Sequence, residues 1–332
     1  MRSFIVLGLM LISFAAQAND WEDRQTFSGA TPTKTLRILS STDTSLFKSI
    51  IEGFLVENPD VSVEYLVTGT SDIDNIFRKS PNDFDLVISS AMDLQLKLVN
   101  DGFADKIDQI NHPQWAQWRH SLFAFTIEPA AIVINKDAFA GYDIPQTRQD
   151  LIQALRARPD FFTNKLGTYD VRQSGLGFLF ATQDARTSET YWRLMEVMGA
   201  LDTRLYCCSG EMIDDLVSGK IAVAYNVLSS YANARKEIQD KIEVILPADF
   251  PTTMMRTILM SKTSENTVTG TEFIKHLLDI QSNSLAPAES LLPALVSAPS
   301  QQTISLEPAL LTYLDALKRR NFITEWERAV IQ

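Results

Sequence analysis

Apolar positions in the first third of the chain fall into two alternating rhythms. TLRILSS (35–41) reads as a strand, VSVEYLVTGTS (61–71) alternates with a period of two, and FDLVISS (84–90) is a continuous apolar run. Such a run suits a strand covered on both faces. Between these, SLFKSIIEGFLVENP places Leu46, Ile50, Phe54 and Leu55 at helical spacing, DIDNIFRKS reads as a short helix, and AMDLQLKLVNDGF as a helix ending at Gly102. Strands alternating with helices predict βα units on a mostly parallel sheet, an α/β fold.

Two later stretches break the rhythm. SLFAFTIEPAAIVINKDAF (121–139) is a long apolar run interrupted by Pro129, and IEVILPADFPTTMMRTILMSK (242–262) is another, interrupted by Pro247 and Pro251. Proline is excluded from central strand positions, so each run is expected to be two strands meeting at a bend. A second βα set lies between them: NKLGTYD into SGLGFLFATQDA, TRLYCC into GEMIDDLVSG, and KIAVAYNVLSS into YANARKEIQ. The chain after the second run reads as helical. One arrangement accommodates all of this: lobe one from residues 35–127 and 255–332, lobe two from residues 128–254, and the two interrupted runs as hinge strands. Glu128, Pro129, Pro247 and Arg256 are the expected hinge residues.

The N-terminus has its own logic. Arg2, an apolar run from Phe4 to Ala15, and Ala16-Gln17-Ala18 have the form of a cleavable secretory signal, residues 1–18. The run is shorter than the ~20 apolar residues of a membrane span, and no direct membrane insertion is expected. Asn19 to Lys34 is polar and turn-rich, and is expected to be a flexible leader (19–34). This places the mature chain in an oxidising periplasm. The formal net charge is −11, which argues against nucleic acid or an anionic membrane as partner.

In open α/β lobes, ligands bind beyond the carboxyl ends of the strands, against helix N-termini. That rule selects Ser40 to Thr44, Thr68 to Ser71 and Ser89-Ser90 in lobe one. In lobe two it selects Thr168 to Gly175, Cys207 to Ser209 and Tyr225 to Ser230. The candidate ligand residues are Ser41, Thr42, Asp43, Thr70, Ser89, Ser90, Arg172, Ser174, Tyr225, Asn226 and Ser229. Hydroxyls and backbone N–H groups of this kind suit a small anion. The same residue types are also the preferred helix caps. Thr70 and Ser71 are good capping candidates, whereas Ser89 and Ser90, directly after a buried strand, allow close approach of a ligand.

The phrases VTGTSDIDNIF, DLVISSAMDLQLKLVNDGFA, IEPAAIVINKDAF, GTYDVRQSGLGFLFATQDA and LLTYLDALKRRNFITEW, in this order, resemble bacterial extracellular solute-binding proteins of the type II periplasmic-binding fold. The likeness is to the group that includes binders of ferric ion and of phosphorylated or carboxylated anions. It implies a protein that closes about its hinge on a small-molecule anion and meets an ABC-transporter permease or the sensor domain of a histidine kinase; the sequence leaves the oligomeric state open, with a monomer as the default expectation. Ferric-ion binding is the alternative within the group. Its members present adjacent tyrosines after a strand, and GKIAVAYNVLSSYANAR has Ser229 and Ser230 at that register, with Tyr231 one step later. A site made by a carboxylate and Tyr231 stays open. His112, His120 and His276 fall in none of the candidate loops, and no resident metal or cofactor is called for.

Three features admit two readings each. Arg172 either forks onto an anion or pairs with Asp170 or Asp184. Arg256 lies among apolar residues, as partner of Asp249 or of Glu128. Cys207 and Cys208, the only cysteines, are either joined or two separate thiols. Consecutive Cα atoms lie about 3.8 Å apart, short of the usual disulfide span of about 4.4–6.8 Å, and separate thiols are preferred here. An enzyme needs a constellation, and the sequence has no GxSxG elbow, HExxH pair, phosphate-binding GxxxxGK[ST] loop or GxGxxG turn opening a helix. The alternative from another class is a periplasmic hydrolase using scattered Ser, His and Asp.

Overall fold

The computed structural model describes residues 21–282, 290–295 and 303–331; the expected signal segment lies outside them. The chain begins with β1 (Asp23–Ser28), β2 (Lys34–Ser40), α1 (Thr44–Glu57), β3 (Val61–Val67), α2 (Thr70–Lys79), β4 (Leu86–Ser89) and α3 (Met92–Asn100). Helix α1 forms because Leu46, Phe47, Ile50, Ile51, Phe54 and Leu55 make one apolar stripe, all of it buried. All four residues of β4 are buried, as its unbroken apolar run predicts.

After β5 (Gln117–Trp118) and β6 (Leu122–Ala124), the chain crosses into β7 (Glu128–Asn135), α4 (Arg148–Ala157), α5 (Pro159–Phe162), β8 (Leu166–Tyr169), α6 (Gly175–Thr187) and α7 (Thr190–Gly199). Then follow β9 (Arg204–Tyr206), α8 (Ser209–Val217), β10 (Val223–Leu228), α9 (Ser229–Asn233) and β11 (Ile242–Ile245). The return is made by β12 (Thr253–Met254) and β13 (Thr257–Met260), ahead of α10 (Thr267–Ser282) and α11 (Ala316–Val330).

There are two sheets, one per lobe. Lobe one has the order β1-β3-β2-β4-β13-β6-β5, and lobe two β11-β7-β10-β8-β9, with β12 pairing β7. The β2–β3, β2–β4, β8–β9 and β8–β10 pairs are parallel. The crossovers run side by side: Thr253 faces Pro129 and Met254 faces Glu128, while Phe125 N donates to Arg256 O at 2.9 Å. The cores are layered. α1 and α10 cover one face of the first sheet, and α4, α6 and α7 cover the outer face of the second. Between them a third cluster joins Leu66 and Val87 of lobe one to Ala131, Leu176 and Met212 of lobe two. The lobes are therefore closed on one another.

Three expectations are corrected. The leader is not free: Asp23 to Ser28 pair antiparallel with Val67 to Ser62 as an edge strand, β1. The C-terminal helix does not belong to lobe one: Phe322, Trp326, Ala329 and Val330 of α11 are buried in the outer core of lobe two, whereas α10 packs on lobe one. The tail makes a further crossing beside β12, where Ile304 N donates to Thr253 O at 2.8 Å. Pro247 ends β11 and lies off the crossover, while Glu128, Pro129 and Arg256 lie on it. Among the described residues no helix is long and apolar enough to cross a membrane.

Candidate functional site

A cleft between the lobes is lined by Glu22, Ser41, Asp43, Thr68, Gly69, Thr70 and Ser90 from one side. From the other come Tyr169, Ser174, Leu176, Cys207, Cys208, Ser209, Leu228 and Tyr231. With the lobes closed it encloses only about 40 Å³, room for a few waters. The strand-end rule explains its position: the loops after β2, β3, β4, β8 and β9 all reach it, and each delivers the start of a helix. The sharpest case is α2 against α6. Thr70 Oγ1, in the first turn of α2, accepts from Leu176 N of α6 at 3.1 Å. A Cβ on Gly175 would lie 3.3 Å from Ser71 N and 3.0 Å from Leu94 Cδ1, so a larger residue there would have to push its neighbours aside by a few tenths of an ångström.

The hydroxyls divide between the cleft and the scaffold. Ser41 Oγ donates to Ser89 Oγ at 3.4 Å and accepts from Ser90 N at 3.3 Å, binding the first and third loops together. Ser174 caps α6 through Gly177 N at 3.1 Å. Ser209 Oγ shares a 2.6 Å hydrogen bond with the Tyr169 hydroxyl and accepts from Leu228 N at 3.2 Å. Tyr231, from α9, donates to Asp43 Oδ1 at 3.0 Å, a second bond between lobes. A carboxylate and Tyr231, the residue types of the ferric site left open by the sequence, are here bonded to each other. Glu22 approaches the start of α2, with Oε1 3.6 Å from where a Gly69 Cβ would stand.

Both cleft carboxyls ionise less readily than usual. Asp43 is pushed up by the protein mass around it, opposed by the Tyr231 hydrogen bond and the Arg256 charge. Glu22 is pushed up by desolvation and by repulsion from Asp43, Asp72 and Glu211. Burial also raises the Tyr169 and Tyr231 phenols, so both are neutral donors at physiological pH. Among the described residues no lysine or arginine lines the cleft.

Of the candidates read from the sequence, Ser41, Asp43, Thr70, Ser90 and Ser174 come together here. Thr42 is turned to the hinge, where its Oγ1 accepts from Arg256 Nη1 at 2.8 Å. Ser89 supports the loop through Ala91 N at 3.1 Å. Tyr225 and Asn226 bond Asp184 at 2.8 and 3.0 Å, and Arg148 completes that buried cluster with Asp184 and Asp249. Asp184 and Asp249 therefore serve Arg148 and not the two arginines for which they were considered. Ser229 is buried at the start of α9, outside the cleft lining. Glu22, Tyr169, Ser209 and Tyr231 line the cleft but were not among the candidates. The last three stand on or beside loops the strand-end rule selected, whereas Glu22 sits in the supposed leader, where nothing marked it.

Arg172 takes the ion-pair reading. It lies 2.7 and 2.8 Å from the Asp170 carboxylate oxygens and 3.5 Å from Glu327 of α11, with its side chain over a third exposed. Exposed pairs of this kind contribute little. Arg172→Ala is therefore expected to change the unfolding free energy by no more than about 1 kcal/mol and to leave solute affinity unaltered. Urea unfolding and solute titration of the variant test this; a tenfold loss of affinity would put Arg172 back in the site.

Cys207 and Cys208 are joined by a disulfide across a Cα–Cα distance of 3.8 Å, which corrects the preference for separate thiols. The reason is local: both residues lie in the turn between β9 and α8, free of strand or helix pairing. Among the described residues Cys207, Cys208 and Glu211 are the one cluster with metal-ligating atoms within 4.8 Å of each other, and its sulfurs are already bonded to each other.

Two closed α/β lobes, paired crossovers and a cleft at the strand ends define a two-lobed binding protein of the type II periplasmic-binding fold. Residues 57–312 match the model of the bacterial extracellular solute-binding protein family, and the chain belongs to that family. Its structure is similar to that of the substrate binding protein of the ABC transporter from Agrobacterium tumefaciens, at 29% identity and a TM-score of 0.86, over 93% of this chain and 98% of that one. More distant likenesses show the fold alone. The binding protein AfuA from Actinobacillus pleuropneumoniae, with exogenous fructose-6-phosphate bound, has a TM-score of 0.69 and 14% identity over 90% of this chain and 99% of that one. Iron-bound HitA from Pseudomonas aeruginosa has a TM-score of 0.64 and 11% identity over 90% and 99%. No curated protein sequence matches the chain.

Proposed function

We propose that this chain, exported to the periplasm and freed of its signal at Ala18, is a monomer that captures a small solute bearing an anionic group and presents it to an ABC-transporter permease. The observation that carries the reading is the meeting of the α2 and α6 N-termini across the cleft. Each helix start bears roughly half a positive charge, and closure brings two of them together. A negative group in the cleft gains from both at once, and gains less in an open form where they part. A solute favours closure only through such a difference in affinity. The Agrobacterium protein, an ABC-transporter substrate binding protein similar over nearly the whole chain, supports the choice of partner.

The test is a thermal-unfolding panel on mature protein, unfolded and refolded to strip bound solute. It spans phosphate esters, di- and tricarboxylates, sulfonates and ferric citrate. A ligand at a hundred times its Kd adds about 2.7 kcal/mol, and at about 2–4 °C per kcal/mol the expected rise is roughly 5–10 °C. A flat response across the anions overturns the reading. A response to ferric citrate alone, reproduced by ferric ion without citrate, replaces it with iron binding.

A further inference from the structure

We infer that the captured solute carries a positively charged group as well as the anionic one, held in an acidic recess opening off the cleft beside Glu22 and Asp43. This rests on the anion reading above and adds the second half of the ligand.

The recess is lined by Glu22, Asp23, Asp43, Thr44 and Lys48 among others, and shares Glu22 and Asp43 with the cleft. The shared carboxylates set the two spaces side by side, the cleft ringed by helix starts and the recess by carboxylates. Lys48, the one cation among the described residues of the recess lining, leans to Glu52 at 3.7 Å along the same helix. The Asp23 carboxylate accepts from Arg24 N and the Gln25 side chain at 2.8 and 3.0 Å. Asp43 precedes α1 yet makes no side-chain capping bond there; its carboxylate receives the Tyr231 hydroxyl instead.

An independent sign of a missing partner lies alongside. Thr44 is 4% exposed, and its Oγ1 has no hydrogen-bond partner. A buried hydroxyl without a partner carries a desolvation penalty that native structures rarely leave standing. An ammonium donating to Glu22, Asp43 and Thr44 Oγ1 would satisfy all three acceptors. It would also relieve the mutual repulsion of the two carboxylates, which an anion alone would worsen. Among small anionic solutes, the chemistry therefore selects zwitterions: a phosphate, sulfonate or carboxylate with an amine a few bonds away.

The test uses matched probes that differ only in the amine: O-phosphoethanolamine against ethyl phosphate, taurine against ethanesulfonate, β-alanine against propanoate, with ethylamine alone as a further arm. Thermal unfolding of the refolded mature protein should rise more with the aminated member of at least one pair. Glu22→Gln should cut affinity for that member by about tenfold, the range for a hydrogen bond to a charged group, and abolish the preference. Glu22 is exposed, so the variant is expected to fold; Thr44→Val, which removes the hydroxyl and keeps the shape, is the second variant and should weaken the same probe. Equal shifts within every pair, or an amine preference that survives Glu22→Gln, overturn the cationic subsite and leave the anion reading standing. A shift with ethylamine but with none of the amine-free anions overturns the anion reading and, with it, the zwitterion. No shift with any probe overturns both.

Discussion

Arg256→Met should lower the stability of the protein by about 3–5 kcal/mol, the cost of leaving a buried charge without its partner. Both side chains of the Arg256–Glu128 pair are fully buried. Arg256 Nε donates to Glu128 Oε1 at 2.6 Å and Nη2 to Oε2 at 3.2 Å, while Nη1 reaches Thr42 in lobe one. Thr126 and Ser230 donate to the same carboxylate. With the guanidinium gone, Glu128 keeps its hydroxyl donors but loses its counter-charge in a fully buried site. At about 2–4 °C per kcal/mol, the melting temperature should fall by roughly 6–20 °C. The double variant Arg256→Met/Glu128→Leu should recover most of the loss, because a buried pair contributes little against a well-packed apolar replacement. Thermal and urea unfolding of the three proteins decide it: a single-variant loss below 1 kcal/mol would mean that the pair is hydrated and the hinge more open than described.

Trp326→Ala should cost a similar amount, about 3–5 kcal/mol, as for other large aromatic truncations in a core. Trp326 is 1% exposed and stands in the outer core of lobe two with Phe322, Tyr191 and Leu194. The helix that carries it lies so close to α7 that a Cβ on Gly199 would come within 2.1 Å of Ala329 O. The cavity left by the indole cannot close easily, because the two backbones are already in contact. Hydrogen exchange should show α11 opening faster than α6 and α7 in the variant. An unchanged melting temperature would mean that α11 adds nothing to lobe two.

Those two sites differ in how far the sequence revealed them. A charged residue inside each interrupted apolar run, Glu128 and Arg256, is visible because burial leaves an ion few alternatives to a partner. The amphipathic stripe of α11 is equally visible, but a stripe records only that something covers it, and lobe one and lobe two offer equal cover. β1 was missed for a related reason. DRQTFS pairs with β3 through its backbone and buries none of its side chains fully, so it leaves no apolar period to read, and Glu22 was lost with it. In the loops, the strand-end rule found the cleft but could not tell which face each residue takes. Along β10, Ala224 joins the inner core and Tyr225 the outer one. The register then shifts between Tyr225 and Val227, and Asn226 turns with a φ of +65° towards Asp184. Arg172 was undecidable from spacing alone, since its partner Asp170 stands two residues away.

The place of β13 in lobe one sets an order on assembly. Every strand of the lobe-two path has been made by Ile245, whereas the lobe-one sheet lacks the strand between β4 and β6 until Met260. A chain emerging from its N-terminus therefore presents the apolar edge of Leu86, Val87 and Ile88 long before anything can pair with it, the type of edge that invites association with other chains. The sheet that begins first finishes second. Until that late closure the first hundred residues have no completed sheet on which to fold.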